Sequence, residues 1–328
     1  MQIVDSYPLK NITTLQIGGP AKKFVTVSSE EELKEAINYA RENHLEYLVI
    51  GGGSNLLVND VGVNSLVIKN EITGIALQGE TLQVKSGTIL QDLVDYTIQH
   101  GLSGLHKMTG IPGTVGGAVY GNAGAYGQKI SDRIVEVTIL KPSVIASPKG
   151  VAISIKKDSH VASLLGMTLK KNQCEFNYRD SRFKRNGFTI LEVVFNLTPA
   201  DPEALQQEAD EVLQKRLVKY PKGIKCPGSF FKNIVADSLP KEILVKIPKE
   251  KITYGKISAG YLLEAVGAQG QKLDGIEIAP YHANLFINKE HGTAKAFYDL
   301  AKEYALKVKE KFGITLEPEV QLINLPPL

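Results

Sequence analysis

Cysteine is scarce in this chain: Cys174 and Cys226 are the only two in 328 residues. Neither belongs to a C-x-x-C pair, and the six histidines show no ligand spacing, so we expect neither a metal site nor a redox dithiol. The two thiols leave one disulfide open. Such sparse use of cysteine is nevertheless typical of proteins in a reducing cytoplasm.

Long apolar runs are missing as well. No stretch approaches the ~20 residues that a helix needs to cross a bilayer, and Met1–Asp5 lacks the basic and apolar regions of a signal peptide. We therefore expect a cytoplasmic protein without membrane insertion. The formal net charge of +3 is small for this length, which argues against a nucleic-acid partner. No heptad pattern or large apolar patch is evident, which favours a monomer.

A length of 328 residues is too great for one ordinary core and predicts two or three domains, and the pattern of apolar residues predicts mixed helices and strands. Strands are expected at Phe24–Val27, Tyr47–Ile50, Leu66–Ile68, Ile134–Leu140, Phe188–Leu197 and Ala283–Asn288. Helices are expected after the capping box of Ser29 and Glu32, near 90–97, after Asp201 and Pro202, and after Thr293. The stretch 141–173 is polar and lysine-rich and has no clear assignment.

A glycine run, Gly51–Asn55, follows the predicted buried strand Tyr47–Ile50. It presents successive backbone N–H groups with no side chains in the way. Such a run either holds phosphate oxygens or forms a tight turn at a sheet edge. It is not the Rossmann fingerprint, because the spacing is not G-x-G-x-x-G and the residues after it make a poor helix start.

A second glycine segment, Gly110–Gly127, reads GIPGTVGGAVYGNAGAYG, and seven of its eighteen positions are glycine. Neither a regular helix nor a regular strand suits it throughout. Ordered loops of this length are uncommon without a function, although a structural loop under a sheet is the alternative. We expect the two glycine segments to bind one dinucleotide between them, with Asn122 hydrogen-bonded to the edge of a ring of that dinucleotide.

These segments and their neighbours resemble one family. IGGPA (17–21), VIGGGSNLLV (49–58) and Gly110–Gly127 are similar to the FAD-binding half of the UDP-N-acetylenolpyruvoylglucosamine reductases. The family's further signatures follow in order as YRDSRFK (178–184), GSFFKN (228–233), KISAGYLLEAVG (256–267), HANLFIN (282–288) and LEPEV (316–320). The resemblance spans nearly the whole chain, and each string alone would be a weak signal.

The resemblance implies an α+β fold, with a two-subdomain FAD-binding fold of the vanillyl-alcohol-oxidase type and a C-terminal α/β substrate domain. It places FAD-binding subdomains at 1–70 and 71–205, a substrate domain at 206–315 and a returning C-terminal strand at 316–328. It also implies non-covalent FAD, NADPH as hydride donor, and reduction of UDP-N-acetylglucosamine enolpyruvate to UDP-N-acetylmuramate for peptidoglycan synthesis. Hydride passes from flavin N5 to C3 of the substrate, and a proton is added at C2.

Site residues carry over from the matching motifs. The cofactor is assigned to Gly51, Gly52, Gly53, Ser54, Asn55, Gly110, Pro112, Gly113, Thr114, Gly116, Gly117, Asn122 and Gly124. The substrate is assigned to Tyr178, Lys219 and Asn233, with Tyr178 expected to pack against the flavin. A solvated helix-end lysine is an equal alternative for Lys219. His282 is expected to be structural rather than a phosphate ligand.

Three residues are matched to catalysis. Arg179 offers a planar guanidinium fork for the substrate carboxylate, which must act as an electron sink during hydride attack. Glu319 matches the family's glutamate and makes sense beside that carboxylate if it carries or shares a proton. Ser229 matches the proton donor, since even a weakly acidic hydroxyl can protonate a strongly basic carbanion. Without the resemblance, a loop or capping hydroxyl is the more common role.

The chain departs from the family pattern in places. GSFFKN continues into Ile234–Asp237 rather than into proline and a glycine turn, so the following loop is expected to be rebuilt. Between Arg179 and Phe195 there is no room for a long tyrosine-bearing loop, so the chain resembles the family's shorter subgroup. The rival readings are a flavin-dependent sugar or alcohol oxidase, with His106 as a covalent attachment point, and a non-catalytic nucleotide-binding protein.

Overall fold

The computed structural model describes residues 1–79, 81–141 and 166–328. Most of the unassigned stretch 141–173 therefore lies outside the described residues. By their internal contacts the described residues form two compact units. The first unit comprises 1–7, 21–53 and 64–218, and the second unit comprises 8–20, 54–63 and 219–328.

Two larger sheets and two short strand pairs lie in the described part of the first unit. A four-stranded sheet has the strand order Val4–Pro8, Pro20–Val27, Val63–Asn70 and Glu46–Ile50. A five-stranded antiparallel sheet has the strand order Gly166–Lys170, Ile134–Leu140, Thr189–Asn196, Thr81–Lys85 and Ile75–Gln78. Short antiparallel pairs join Gly124–Ala125 to Gln128–Lys129, and Leu102–Ser103 to Thr198–Pro199.

The longer helices of the first unit bury apolar residues along one side, and the four-residue helix Phe183–Asn186 buries Phe183 alone. The helices span Glu30–Glu42, Leu90–Gln99, Val115–Gly121, Phe183–Asn186 and Pro202–Lys219. The helix Glu30–Glu42 begins as predicted, because Ser29 Oγ accepts a hydrogen bond from the Glu32 backbone N–H at 3.1 Å. The Glu32 carboxylate also accepts from the Ser28 N–H at 2.7 Å and from Ser28 Oγ at 2.9 Å, next to the cap.

The second unit packs short strands around an aromatic core. Leu56–Val58 runs parallel to Gln321–Ile323. Two three-stranded antiparallel sheets are formed by Ile234–Val235, Lys256–Ile257 and Ile252–Thr253, and by Lys272–Leu273, Ile276–Ile278 and Phe286–Asn288. The helices span Lys241–Leu244, Ala259–Glu264 and Ala294–Phe312.

Four phenylalanines form the centre of the second unit. Phe230, Phe231, Phe286 and Phe297 are buried, and the rings of Phe230 and Phe231 meet edge to face with centroids 4.7 Å apart. Phe230 also contacts Phe286 and Phe297, with centroids 5.5 and 5.0 Å away. Both aromatic residues of the GSFFKN motif are therefore core residues, and they fix the backbone that carries the neighbouring Ser229.

Two expectations about elements need correction. The strand expected at Ala283–Asn288 is limited to Phe286–Asn288, because the Leu285 N–H donates to the His282 carbonyl in a turn. Part of Gly110–Gly127 forms a regular helix, discussed below. The helix after Thr293 forms as predicted, with Thr293 Oγ1 accepting from the Ala296 N–H at 3.0 Å and Gly313 in the left-handed region at its end.

Cys174 and Cys226 are both buried and free, so the disulfide left open by the sequence does not form. Within the described ranges no cluster of three or more histidine, cysteine, aspartate or glutamate side chains is placed to hold a metal ion. Among the helices formed by the described residues, none is long and apolar enough to cross a membrane.

Candidate cofactor and substrate site

The two glycine segments of the first unit lie against each other. A Cβ atom built on Gly51 would lie 2.2 Å from Thr114 Oγ1, and one on Gly52 would lie 2.8 Å from Gly113 Cα. Neither distance is possible for a real side chain, so the contact requires glycine on one side. The segments expected to share one cofactor are thus neighbours in the structure.

The second glycine segment contains the helix Val115–Gly121. Its glycine content predicted an irregular loop, but Thr114 Oγ1 accepts from the Gly117 N–H and caps the helix, and Val115, Ala118 and Val119 are buried. Tertiary packing and the cap outweigh the poor helix propensity of glycine here. Gly116 is required for this packing, since a Cβ there would lie 2.9 Å from Ser86 Cβ.

Gly110 and Pro112 lie before this helix. The Gly110 N–H donates to Gln91 Oε1 at 2.7 Å, and its carbonyl accepts from Arg216 Nη2 at 3.1 Å. Gly110 therefore fixes the entry of the segment through its own peptide groups. Gly53, at the end of the first glycine run, has a φ of 64° and turns the chain toward Ser54.

Asn122 ends the helix in the left-handed region with φ 44°, a conformation that asparagine tolerates better than most residues. Its Nδ2 donates to the Asn177 carbonyl at 2.7 Å, and the side chain is buried. Its Oδ1 is also buried and has no hydrogen-bond partner among the described residues. A buried acceptor without a donor is costly, so this atom fits a bound group that carries an N–H.

The segment that carries Arg179 is bonded to the same glycine region. Arg179 Nη2 donates to the Gly124 carbonyl at 2.8 Å, and Ser181 Oγ donates to the Tyr120 carbonyl at 2.7 Å. The Arg179 guanidinium also lies 5.6 Å from the centre of the Tyr178 ring. The first unit therefore brings together the glycine loops, Tyr178 and Arg179.

The segment 229–232 of the second unit is held on both sides. On one side, the Phe230 N–H donates to the Asn284 carbonyl, and the Asn284 side chain exchanges two 2.8 Å hydrogen bonds with the Phe231 backbone. On the other side, the Glu319 N–H donates to the Phe230 carbonyl at 2.7 Å. Ser229 and Glu319, about ninety residues apart in sequence, are therefore carried on adjacent extended segments.

Asn55, which precedes the parallel strand Leu56–Val58 of the second unit, is hydrogen-bonded to the segment that carries Glu319. Asn55 Nδ2 donates to the Glu319 carbonyl at 3.2 Å, and the Gln321 N–H donates to the Asn55 carbonyl at 2.9 Å. These bonds fix the backbone of Glu319 from the segment that follows the first glycine run. Ser54 and Asn55 thus belong with Glu319 and Ser229 in one unit.

Ser229 has a neighbour that the sequence did not reveal. Its Oγ lies 2.9 Å from the phenolic oxygen of Tyr220, in hydrogen-bond contact. The sequence motifs assigned the adjacent Lys219 to the substrate and gave no role to Tyr220. The contact depends on how residues 221–228 turn the chain back, which no local pattern indicates.

Lys219 is exposed at the end of the helix Pro202–Lys219. Burial, and then the positive charge of Lys219, lower the pKa of His282 to about 4. His282 is therefore neutral near pH 7. That state fits a structural histidine, as expected, rather than a cationic phosphate ligand.

Asn233 Oδ1 accepts a hydrogen bond from the Ala259 N–H at 3.2 Å, at the first residue of the helix Ala259–Glu264. Asn233 thus helps to fix that helix. The residues after it form the strand Ile234–Val235, paired with Lys256–Ile257, so the altered sequence builds a sheet edge. In the first unit, two residues separate the helix Phe183–Asn186 from the strand Thr189–Asn196, and no long loop intervenes.

His106, the attachment point in the oxidase alternative, is buried in the first unit. Its Nε2 lies 3.2 Å from Glu208 Oε2, and burial lowers its pKa. The ring is thus already engaged by a carboxylate. Arg179 belongs to the first unit, whereas Ser229 and Glu319 belong to the second, so their joint action stays a prediction.

Comparisons with known proteins agree on one family. A family model described as FAD binding domain matches residues 21–143, and one described as UDP-N-acetylenolpyruvoylglucosamine reductase, C-terminal domain, matches 220–323. The UDP-N-acetylenolpyruvoylglucosamine reductase of Solibacter usitatus is 37% identical, with 97% of this chain and 96% of the relative covered. Reductase 2 of Bacillus cereus is 33% identical, with 96% and 91% covered.

A solved structure extends the likeness to the fold. The crystal structure of UDP-N-acetylenolpyruvylglucosamine reductase from Thermus caldophilus covers 98% of both chains with a TM-score of 0.72 and 29% identity. This match and the two family models confirm the expected α+β class, with an FAD-binding fold followed by a separate C-terminal domain. The chain belongs to the UDP-N-acetylenolpyruvoylglucosamine reductase family.

Proposed function

We propose that this chain reduces the enolpyruvyl group of UDP-N-acetylglucosamine enolpyruvate to UDP-N-acetylmuramate, with NADPH as electron donor and FAD as bound cofactor. Family membership supports the reaction, and the FAD binding domain at 21–143 supports the cofactor. The observation that carries the assignment to this chain is the second unit's placement of Ser229 and Glu319 on adjacent segments.

The first unit fits FAD. Gly51 lies against the Thr114 side chain and Gly52 against the Gly113 backbone, so closely that neither glycine has room for a Cβ, and the buried Asn122 Oδ1 has no hydrogen-bond donor among the described residues. We assign the flavin dinucleotide to these loops, together with Gly53–Asn55, Gly110, Pro112, Gly116, Gly117 and Gly124. Bound there, FAD supplies the hydride that it has received from NADPH. The protein's own residues bind, orient and protonate the substrate.

Arg179 is assigned to the substrate carboxylate. Its side chain is already oriented by the Gly124 carbonyl and the Tyr178 ring, so less conformational entropy is lost on binding. A guanidinium beside the carboxylate stabilises the negative charge that develops when hydride adds to C3. Charge stabilisation of this kind is worth about 3–4 kcal/mol per donor. Glu319 is assigned to the same developing charge.

Ser229 is assigned to the proton delivered to C2. The backbone that follows it is fixed by Asn284 and Glu319, and the adjacent Phe230 and Phe231 are core residues. A hydroxyl held in one place loses little entropy in the proton transfer. Tyr178, Lys219 and Asn233 are assigned to substrate binding, Asn233 alongside its contact with Ala259.

The domain boundaries at 70, 205 and 315 remain proposals, as does a monomeric state, which light scattering on a sizing column would test. We place the reaction in the cytoplasm, which both free thiols support.

The decisive experiment is anaerobic. Purified yellow protein is mixed with NADPH until the flavin bleaches, and the enolpyruvyl nucleotide-sugar is then added. Re-oxidation of the flavin by this compound, with formation of the saturated lactyl ether, supports the proposal. Bleaching of the oxidised flavin by a simple sugar or alcohol without NADPH, together with no re-oxidation of reduced flavin by the enolpyruvyl compound, would favour an oxidase and overturn it.

The cofactor linkage separates the oxidase alternative further. Because His106 is buried and engaged by Glu208, we expect acid precipitation to release all of the yellow FAD into the supernatant. Flavin retained in the pellet, and released only in a His106→Ala variant, would indicate covalent attachment.

A further inference from the structure

The strongest feature of the second unit that the proposed function leaves unused is the contact between Tyr220 and Ser229. Their side-chain oxygens lie 2.9 Å apart, and either oxygen can donate. Both side chains are partly buried. A second hydroxyl in contact with the assigned proton donor can orient that donor and replace the proton that it gives up.

The position of Tyr220 is built into the fold. Its ring packs against a small apolar cluster of Cys226, Ala279, Leu285 and Ile287. Leu285 is also paired with Ser229 in an isolated β-bridge. The cluster that receives the Tyr220 side chain therefore includes the residue that pairs with the backbone of Ser229.

The loop between the two hydroxyls is fixed as well. Thr14 Oγ1 donates to the Cys226 carbonyl at 2.8 Å, and the Asn288 N–H donates to the Lys225 carbonyl at 2.9 Å. The Ile224 N–H donates to the Pro221 carbonyl at 3.2 Å and closes a turn. These bonds hold the chain that runs from Tyr220 to Ser229, so the short oxygen–oxygen distance does not depend on a mobile loop.

We infer that Tyr220 is the positioning and proton-supplying partner of Ser229, so that two hydroxyls deliver the proton to C2 as a relay. This inference rests on the proposed function. Ser229 Oγ gives its proton to the C2 carbanion, and a C–H bond forms while the serine O–H bond breaks. Tyr220 gives its phenolic proton to Ser229 Oγ in the same event. The phenolate then takes a proton from water, which its partial exposure permits.

The chemistry favours this arrangement over serine alone. An alkoxide is a far stronger base than a phenolate, since the phenol of tyrosine has a reference pKa near about 10. Moving the charge from Ser229 to Tyr220 therefore lowers the energy of the state that follows proton transfer. General acids of matched strength typically contribute about 10²–10⁴-fold in rate.

The test is Tyr220→Phe, which keeps the ring in the apolar cluster and removes only the hydroxyl. We expect the rate of flavin reduction by NADPH to stay within about twofold of wild type, while re-oxidation by the enolpyruvyl substrate slows about 10–100-fold. Tyr254→Phe, at a tyrosine 96% exposed in the same unit, is the matched control and is expected to change neither rate.

A proton inventory separates a relay from a purely structural role. Re-oxidation is followed by stopped flow in mixtures of H₂O and D₂O. The additional proton of a relay predicts a more strongly bowed dependence of the rate on the deuterium fraction in wild type than in Tyr220→Phe. Equal curvature in the two proteins, or an unchanged re-oxidation rate in Tyr220→Phe, overturns the relay.

Ser229→Ala distinguishes a failure of the relay from a failure of the proposed function. If Ser229→Ala abolishes re-oxidation and Tyr220→Phe does not slow it, the relay is wrong and the proposed function stands. If wild-type flavin is not re-oxidised by the enolpyruvyl nucleotide-sugar at all, the proposed function itself fails, and the relay fails with it.

Discussion

Asn122 joins the second glycine segment to the segment that carries Arg179, through a 2.7 Å hydrogen bond from its Nδ2 to the Asn177 carbonyl. With the bonds from Arg179 to Gly124 and from Ser181 to Tyr120, it forms three contacts between these segments. The residues assigned to cofactor and to substrate charge thus share one local scaffold. A change at Asn122 should affect both.

The first prediction separates the backbone and side-chain roles of Asn122. Asn122→Ala removes the bond to Asn177 and places alanine in the left-handed region, so we expect the free energy of unfolding to fall by about 2–3 kcal/mol. Asn122→Gly accepts φ 44° without strain and should cost only about 1 kcal/mol. Urea titration of both variants measures the difference.

The Asn122→Gly variant also tests whether Asn122 Oδ1 accepts a hydrogen bond from a bound group. If this buried oxygen accepts from FAD, Asn122→Gly should weaken FAD binding about 5–10-fold, as expected for one lost hydrogen bond. Titration of apoprotein with FAD, followed by quenching of flavin fluorescence, gives the affinity. Wild-type affinity in Asn122→Gly would show that Oδ1 has no part in holding the cofactor.

The second prediction concerns the contact between the glycine segments. Gly52→Ala forces a Cβ to within 2.8 Å of Gly113 Cα unless the loops separate, and we expect a loss of about 1–3 kcal/mol in stability together with weaker FAD binding. Gly121→Ala is the matched control, because a Cβ there meets nothing within 4 Å and Gly121 lies in a helix. It should be neutral or stabilising by up to about 1 kcal/mol. Equal effects of the two substitutions on FAD affinity would contradict the close-contact explanation.

Features fixed by short-range chemistry could be predicted from the sequence. Ser29 and Thr293 cap their helices as expected, because a hydroxyl and a backbone N–H three residues later meet whatever the rest of the fold does. Gly313 ends its helix for an equally local reason. The motif strings are contiguous, so they likewise indicate the family from the sequence alone.

Features that depend on distant packing could not be predicted. The helix Val115–Gly121 forms in spite of its glycines because its apolar residues are buried by other elements. The contact of Tyr220 with Ser229 depends on the folding of 221–228 against Thr14 and Asn288. No single sequence window contains the partners of either feature.

The third prediction is the effect of removing the assigned proton donor. Ser229→Ala should leave flavin reduction by NADPH within about twofold of wild type and slow re-oxidation by the enolpyruvyl substrate about 10²–10⁴-fold. Ser238→Ala, which removes an exposed hydroxyl bonded to the Val235 carbonyl, controls for serine loss in the same unit. Single-turnover absorbance at the flavin band measures both half-reactions. Normal re-oxidation in Ser229→Ala would remove Ser229 from the mechanism.

The fourth prediction follows from His282. Burial, and then the charge of Lys219, lower its pKa from 6.5 to about 4. Because the folded state binds this proton less readily than the unfolded state, the stabilising contribution is complete above about pH 6.5 and is lost as the pH falls toward 4. Allowing for screening by solvent, we expect His282 to account for about 1–2 kcal/mol of that loss.

The comparison of His282→Gln with wild type isolates this contribution from the carboxylates that titrate in the same range. The variant should lose less stability than wild type between pH 6.5 and pH 4, as measured by urea unfolding at each pH. Lys219→Gln removes one of the two causes, so it should raise the pKa of His282 as observed by NMR of its ring protons. Parallel pH profiles for His282→Gln and wild type would show that His282 is not buried in its neutral form.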